Sequence, residues 1–315
     1  QPLEQETEEA AKIPPEKLAA VKAEAQELGF YAMNMSEEVG GAGLGVLDMC
    51  LVEEQLGQTS DALIRRVFGQ VYPMLEQFEG ELRDKYLYPT VKGDKICAMA
   101  ITEPGAGSDA AAIKTHAYLD GDEWVLNGTK HFISHADIAD FAIVFMASGE
   151  EDSPRGPRKL ITAFFVDKGT PGFTVRDGYR NVSHRGYTNA VLEFDNCRIP
   201  KSKVLGEVHK GFNVANDWLG ATRLQVAATS LGRAERAFEH ALAYSAERKQ
   251  FGQQISKFQG VSFKLADMAV ELKAAELLTW EAGSKFDDGR CTDADMAMAK
   301  LKASEVLAMI ADEAI

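Results

Sequence analysis

Cysteine is scarce in this sequence: Cys50, Cys97, Cys197 and Cys291 are the whole complement, and no two form a C-x-x-C pair. That scatter excludes a zinc ribbon and a disulfide scaffold and points to a reducing compartment. Long apolar runs are missing too. None reaches the length of a membrane-spanning helix, and the first residues lack the basic-then-apolar order of a secretory signal. Positive charge is in deficit, with 34 Lys and Arg against 48 Asp and Glu and a net charge of −14. Such a balance repels phosphate backbones, so neither nucleic acid nor an anionic membrane is an expected partner. A soluble protein of the bacterial cytoplasm or the mitochondrial matrix is expected. There is also no G-x-S-x-G elbow, and His131 and His135 straddle a strand end where alternate residues face opposite sides. No metal site is expected.

What is present is ample core material: 45% of the 315 residues are hydrophobic, enough for two or three domains. The acidic first dozen residues, with Glu4, Glu6, Glu8 and Glu9, read as frayed. Pro14 and Pro15 open a helix whose Leu18, Val21, Ala25 and Leu28 recur at helical spacing until Gly29. The glycines between Ser36 and Gly45 follow no strand and lack dinucleotide-loop spacing, so they read as a connection. Val46 to Leu56, Asp61 to Phe78 with breaks at Gly69 and Pro73, and Glu79 to Tyr88 read as helices. From Ile96 the period becomes that of strands, with a hairpin about Asp120-Gly121-Asp122, a turn at Asn127-Gly128 and a polar surface loop from Gly149 to Arg158. After Gly211 helical spacing returns in three stretches, the last following Thr292, a candidate N-cap. The fold class is therefore mainly α with a central β domain. We expect an N-terminal helical domain at 1–95, a middle β-barrel or sandwich at 96–205 and a C-terminal antiparallel helix bundle at 206–315.

The stretch from Met99 to Asp109 carries the chemistry. A strand that breaks into Pro104, Gly105 and Gly107 can lay backbone donors against a planar, acceptor-rich ligand, because no Cβ blocks the approach. By composition alone it is a glycine-rich connection. The string Thr102-Glu-Pro-Gly-Ala-Gly-Ser-Asp109, however, resembles the flavin loop of the acyl-CoA dehydrogenase family. Phe132 and Ser134, and the segment Glu247-Arg-Lys-Gln-Phe-Gly-Gln-Gln-Ile-Ser-Lys-Phe-Gln259, carry the same resemblance.

The resemblance implies FAD as cofactor. It gives Thr102 and Ser108 hydrogen bonds to the flavin ring and pyrophosphate, with backbone contacts from Met99, Ile101 and Gly107. Phe132 would lie beside the isoalloxazine and the Ser134 hydroxyl at N5. Strand alternation puts those two side chains on one face. Arg248 would reach the pyrophosphate of FAD held by a neighbouring subunit, with Phe251 and Gln259 on the same cofactor; by residue type alone, Arg248 and Lys249 equally suit a solvated helix end. Thr222-Arg223 resembles the pair that begins the family's first long bundle helix, making Arg223, with Ser108, a candidate contact to the acyl-CoA substrate. Phe68, Val71 and Tyr72 lie where relatives border the acyl chain, although core packing also accounts for them. Gly220, where relatives often carry an acid, and Ser183, where they commonly carry glycine, depart from the pattern.

The implied activity is FAD-dependent α,β-dehydrogenation of an acyl-CoA thioester to a 2-enoyl-CoA, with electrons passed to an electron-transfer flavoprotein. An arginine donated between subunits implies at least a dimer, and the family is commonly a homotetramer. The usual base is a Glu after a Gly-rich loop, expected after Ile315, in relatives that run further at both ends. No catalytic residue is assigned within 1–315: Thr222, where some relatives place the Glu, is too weakly basic, and Glu103 and Glu247 belong to structural parts of their motifs. Alternatives are a flavin oxidase or monooxygenase of the same fold, or a flavin-binding homologue without catalysis.

Overall fold

The computed structural model describes residues 2–10, 13–68, 71–154, 156–179, 181–182, 185–186 and 188–315, so the expectations for Gly69 and Ser183 lie outside the described residues. The helices are α1 (Pro2–Ala10), α2 (Pro15–Glu27), α3 (Val46–Gly57), α4 (Asp61–Val67), α5 (Tyr88–Lys92), α6 (Gly211–Glu247), α7 (Gln259–Asp287) and α8 (Asp293–Glu313). The strands are β1 (Cys97–Ala100), β2 (His116–Asp120), β3 (Glu123–Ser134), β4 (Phe141–Glu151), β5 (Arg158–Asp167), β6 (Phe173–Tyr179), β7 (Asn189–Pro200), β8 (Val204–Leu205), β9 (Lys249–Gln250) and β10 (Gln253–Gln254). They divide into two compact units, one of residues 2–42 and 65–218, the other of residues 43–64 and 219–315.

In the first unit several elements differ from expectation. The acidic start is helical: Glu4 sits in the first turn of α1, where carboxylates meet the positive helix end, and Lys17 pairs with Glu6. The stripe on α2 is not a core face, since only Ala25 is buried. The helix expected through Phe78 stops at Val67, and Pro73 instead opens a 3₁₀ turn, Pro73–Gln77. The next helix runs past Tyr88 to Lys92, by way of a π-helical stretch, Arg83–Leu87, just before Pro89. A widened turn accommodates a residue that has no N–H to give.

The sheet follows the order β6-β7-β3-β2-β4-β5-β8, with β1 parallel to β4. Ala98, Ala100, Leu126, Ile133, Val144, Phe164 and Leu192 close one buried cluster. Asn127-Gly128 is not a turn. Strand β3 runs through it with a register shift, because a Cβ on Gly128 (φ +123°) would lie 2.6 Å from Thr115 Cγ2 and the Asn127 Oδ1 accepts from Asn196 N at 2.9 Å. Pairing of β4 with β5 extends past a bulge near Gly149 to Glu151 and Arg158, leaving a shorter connection than expected.

The second unit is a helix bundle. A Cβ on Gly232 of α6 would stand 1.8 Å from the Glu54 carbonyl oxygen, so glycine there allows α3 and α6 to touch. Asp287 accepts from Val46 N at 2.6 Å and Leu47 N at 2.9 Å, capping α3 from α7. Thr292 caps α8 as expected, in a reciprocal box with Asp295. Helix α6 begins at Gly211, so Thr222-Arg223 lies within it and not at its start. Among the described residues no helix is long and apolar enough to cross a membrane.

Candidate functional site

The loop after β1 is fixed from beneath by a buried ion pair. Lys130, fully buried on β3, donates to Glu103 Oε1 and to the Ile101 carbonyl, each at 2.8 Å. The Glu103 carboxylate also accepts from Lys114 N at 2.6 Å, Thr115 N at 3.1 Å and Thr115 Oγ1 at 2.6 Å. Both carboxylate oxygens are thus hydrogen-bonded, by four donors in all, which is what makes such a pair tolerable away from water. Burial alone would raise the Glu103 pKa, but the hydrogen bonds from Lys130, Thr115 and Lys114 outweigh it and hold it below the ordinary carboxylate value. Burial pulls the Lys130 ammonium down, and Glu103 offsets part of that.

Above this anchor the turn closes on itself. Glu103 N donates to the Ala106 carbonyl at 2.9 Å, and Ala106 N donates back at 3.2 Å. Gly105, Gly107 and Ser108 are exposed, and a Cβ at either glycine would meet open space. The base of the loop is tied to β3, since His131 N donates to the Thr102 carbonyl at 2.9 Å. That bond places Thr102 beside the strand end that carries Phe132 and Ser134.

Between Lys130, opposite Leu192, and Ile133, opposite Ala190, strand β3 carries an extra residue. The bulge coincides with a left-handed Phe132 (φ +54°), whose ring is 45% exposed. Such a conformation is unfavourable for a bulky side chain, and an exposed aromatic gains nothing from the core there. Tyr179 of β6 lies against it, with ring centroids 4.4 Å apart, and its hydroxyl is 3.3 Å from His131 Nδ1. Ile133 turns inward while Ser134 lies half-exposed, so alternation holds from Phe132 to Ser134 once the bulge has been passed. Met99 lies on β1 and Ile101 directly follows the strand, its carbonyl accepting from Lys130. Among the described residues the hydroxyls of Thr102, Ser108 and Ser134 meet no protein hydrogen-bond partner, leaving them available to a polar ring or a diphosphate.

The remaining candidates lie in the second unit. Lys249–Gln250 and Gln253–Gln254 form a two-residue hairpin whose central residues, Phe251 (φ +51°) and Gly252 (φ +82°), have the left-handed angles of a type I′ turn. Phe251 at its tip is 93% exposed, and Arg248 and Gln259 are exposed beside it. Arg223 is partly exposed on α6, 3.7 Å from the Asp293 carboxylate.

Lys130 and Tyr179 were not anticipated from the sequence. Lys130 has a signal: it falls on the inward parity of Trp124 and Leu126, where a charge is out of place unless it is paired. Tyr179 has none, because its role comes from strand pairing with β7.

A helical start, a central sheet with an open hydroxyl-lined loop and a long-helix bundle follow one another along the chain, the order of a three-segment fold. The chain matches family models for the acyl-CoA dehydrogenase N-terminal domain at residues 1–94, middle domain at 98–197 and C-terminal domain at 209–315. It is 40% identical over 292 residues to the mitochondrial short-chain specific acyl-CoA dehydrogenase of Homo sapiens, covering 91% of this chain and 70% of that protein. It is 34% identical over 320 residues to a subunit of the caffeyl-CoA reductase-Etf complex of Acetobacterium woodii, covering 98% and 81%. The structure of butyryl-CoA dehydrogenase from Megasphaera elsdenii superposes with a TM-score of 0.87 at 33% identity, covering 100% of this chain and 83% of that one. The chain belongs to the acyl-CoA dehydrogenase family.

Proposed function

We propose that this protein binds FAD and removes hydrogen from the α and β carbons of a short acyl-CoA thioester, giving a 2-enoyl-CoA, and passes the electrons to an electron-transfer flavoprotein. The observation that carries this reading is the bond from His131 N to the Thr102 carbonyl. It ties the glycine-opened loop to the strand end bearing Phe132 and Ser134, so candidate residues from two segments are held next to one another. FAD, when bound, supplies the acceptor for the β hydrogen and its electron pair. Thr102 and Ser134 hold the ring by their hydroxyls, Ser108 donates toward the diphosphate, and Phe132 covers one edge. Met99, Ile101 and Gly107 contribute backbone at the base of the loop. Pre-placed donors of this kind cost no reorganisation when charge develops, which is why they are set on a rigid anchor.

Arg248, Phe251 and Gln259 project from the bundle hairpin toward FAD held by another copy of the chain, in a homotetramer. An exposed phenylalanine in a left-handed turn suits a contact completed by a partner. Arg223, with Ser108, contacts the acyl-CoA. Removal of the weakly acidic α proton needs a carboxylate raised toward neutrality. Glu103 is not that group, because its oxygens are committed to Lys130, Thr115 and Lys114. The resemblance assigns the base to a Glu following a Gly-rich loop, outside residues 1–315. The Etf-complex relative supports an electron-transfer flavoprotein as partner, and the short-chain and butyryl relatives support a short acyl group.

Anaerobic addition of butyryl-CoA to the native flavoprotein tests the reading. Bleaching of the flavin band is expected; a spectrum unchanged by acyl-CoAs of every chain length would overturn it. Rapid oxygen consumption without an added acceptor would instead favour an oxidase of the same fold.

A further inference from the structure

Three strands meet in register at the end of the sheet that carries Phe132. Asn189 of β7 stands directly opposite Ser134 of β3 on one side and Tyr179 of β6 on the other. Directly paired residues of antiparallel strands point to the same face, with Cβ atoms about 4.5–5.5 Å apart, so Ser134, Asn189 and Tyr179 form one row. The neighbouring pair, Ile133 and Ala190, fills the opposite, buried face. Within the row Asn189 carries an anomaly. Its Oδ1 is shielded from solvent and, among the described residues, accepts no hydrogen bond.

A buried carbonyl oxygen without a donor is costly, and folded proteins rarely keep one unless something uses it. The neighbours narrow the choice of donor. Phe132 has no polar side-chain atom, and the Tyr179 hydroxyl lies 3.3 Å from His131 Nδ1, its ring 4.4 Å from that of Phe132. The Ser134 hydroxyl is left: it belongs to the residue paired with Asn189 and is without a protein partner among the described residues. A hydroxyl has one proton to give and lone pairs that accept, and rotation about its C–O bond sends the proton either way. FAD presents at N5 an acceptor when oxidised and an N–H donor when reduced. Ser134 meets the first by donating. It meets the second only by accepting, and its own proton then needs a partner on the protein.

We propose that Asn189 is a positioning residue of the flavin site, its side-chain carbonyl accepting the Ser134 hydroxyl proton whenever that hydroxyl accepts from the reduced ring. The assignment rests on the FAD and Ser134 part of the reading above and adds to it a residue that favours the reduced cofactor over the oxidised one. Such a role has its own stability signature. Asn189→Leu removes a buried oxygen that no protein donor satisfies, so the oxidised protein stays as stable as before or gains, whereas loss of a structural amide would weaken it.

The test measures the midpoint potential of the protein-bound flavin by dye-coupled photoreduction, without substrate, alongside thermal melting of each oxidised flavoprotein. The proteins compared are wild type, Asn189→Leu, Asn189→Ala, Asn189→Thr, Ser134→Ala and the Ser134→Ala/Asn189→Leu double variant. Asn189→Leu and Asn189→Ala are expected to disfavour the reduced form roughly tenfold, a potential more negative by about 30 mV for a two-electron couple, with no fall in melting temperature for Asn189→Leu. Asn189→Thr, which keeps an oxygen acceptor, restores part of the shift. In the Ser134→Ala background Asn189→Leu moves nothing, because the hydroxyl through which Asn189 acts is gone. An unchanged potential in Asn189→Leu and Asn189→Ala, with or without a lowered melting temperature, overturns the assignment and leaves the reading of Ser134 intact. So does a shift of the same size with and without the Ser134 hydroxyl, which would put Asn189 on the ring itself. If Ser134→Ala leaves the potential unmoved, the Ser134 part of the reading falls and takes this assignment with it; a wild type that holds no flavin removes both.

Discussion

The loop at Thr102 and the hairpin at Phe251 carry candidate residues for the same ligand, yet they are built in opposite ways. The loop stands on a fully buried ammonium and a carboxylate with four donors, and its neighbours on β3 are locked by strand pairing. The hairpin is a short type I′ turn with an exposed tip, held at its base by Ile255 N donating to the Arg248 carbonyl at 2.9 Å. A residue in the first setting is positioned by the fold, so changing its support damages stability and site together. A residue in the second is displayed by a turn, so changing it affects what it touches and little else.

The sharpest contrast is between Lys130→Met and Phe251→Ala. Removing the ammonium leaves Glu103 buried and unpaired, which costs about 3–5 kcal/mol in urea unfolding and abolishes flavin retention. Phe251→Ala changes stability by less than about 0.5 kcal/mol while weakening flavin retention. Comparable losses of stability in both would erase the distinction. Gly128→Ala, which forces a Cβ against Thr115 in a left-handed conformation, costs about 2 kcal/mol in the same measurement.

Acid sharpens the comparison further. Because the folded pKa of Glu103 lies below its unfolded value of about 4.3, its contribution to stability is complete above that pH. It is lost as the pH falls through the folded value. Wild type should therefore lose stability more steeply below about pH 4.3 than Lys130→Met, in which the depressed pKa is gone. Parallel acid profiles would count against the pair as the loop's anchor. The smallest effect is expected for Phe251→Asn, which tolerates the left-handed angle better and should raise stability by about 0.5 kcal/mol even as flavin is held less well.

Much of this was legible in the residues. The change of period at Ile96, the Asp120-Gly121-Asp122 hairpin and the Thr292 cap were readable because each depends on neighbours close in sequence. The loop string and the Phe132–Ser134 spacing were readable as motifs. Asn127-Gly128 misled because the same dipeptide serves a turn or a bulge, and only packing on Thr115 decides between them. The bulge at Phe132, the Lys130 anchor and the Tyr179 contact were hidden for a related reason: register between β3, β6 and β7 is a long-range property.

The most direct test is whether the native protein, freed of small molecules and then given FAD, retains it through gel filtration. Retention of one flavin per chain, lost in Lys130→Met and weakened in Ser134→Ala, is the expected result. A wild-type protein that remains colourless and leaves the added flavin in the small-molecule fraction would contradict it.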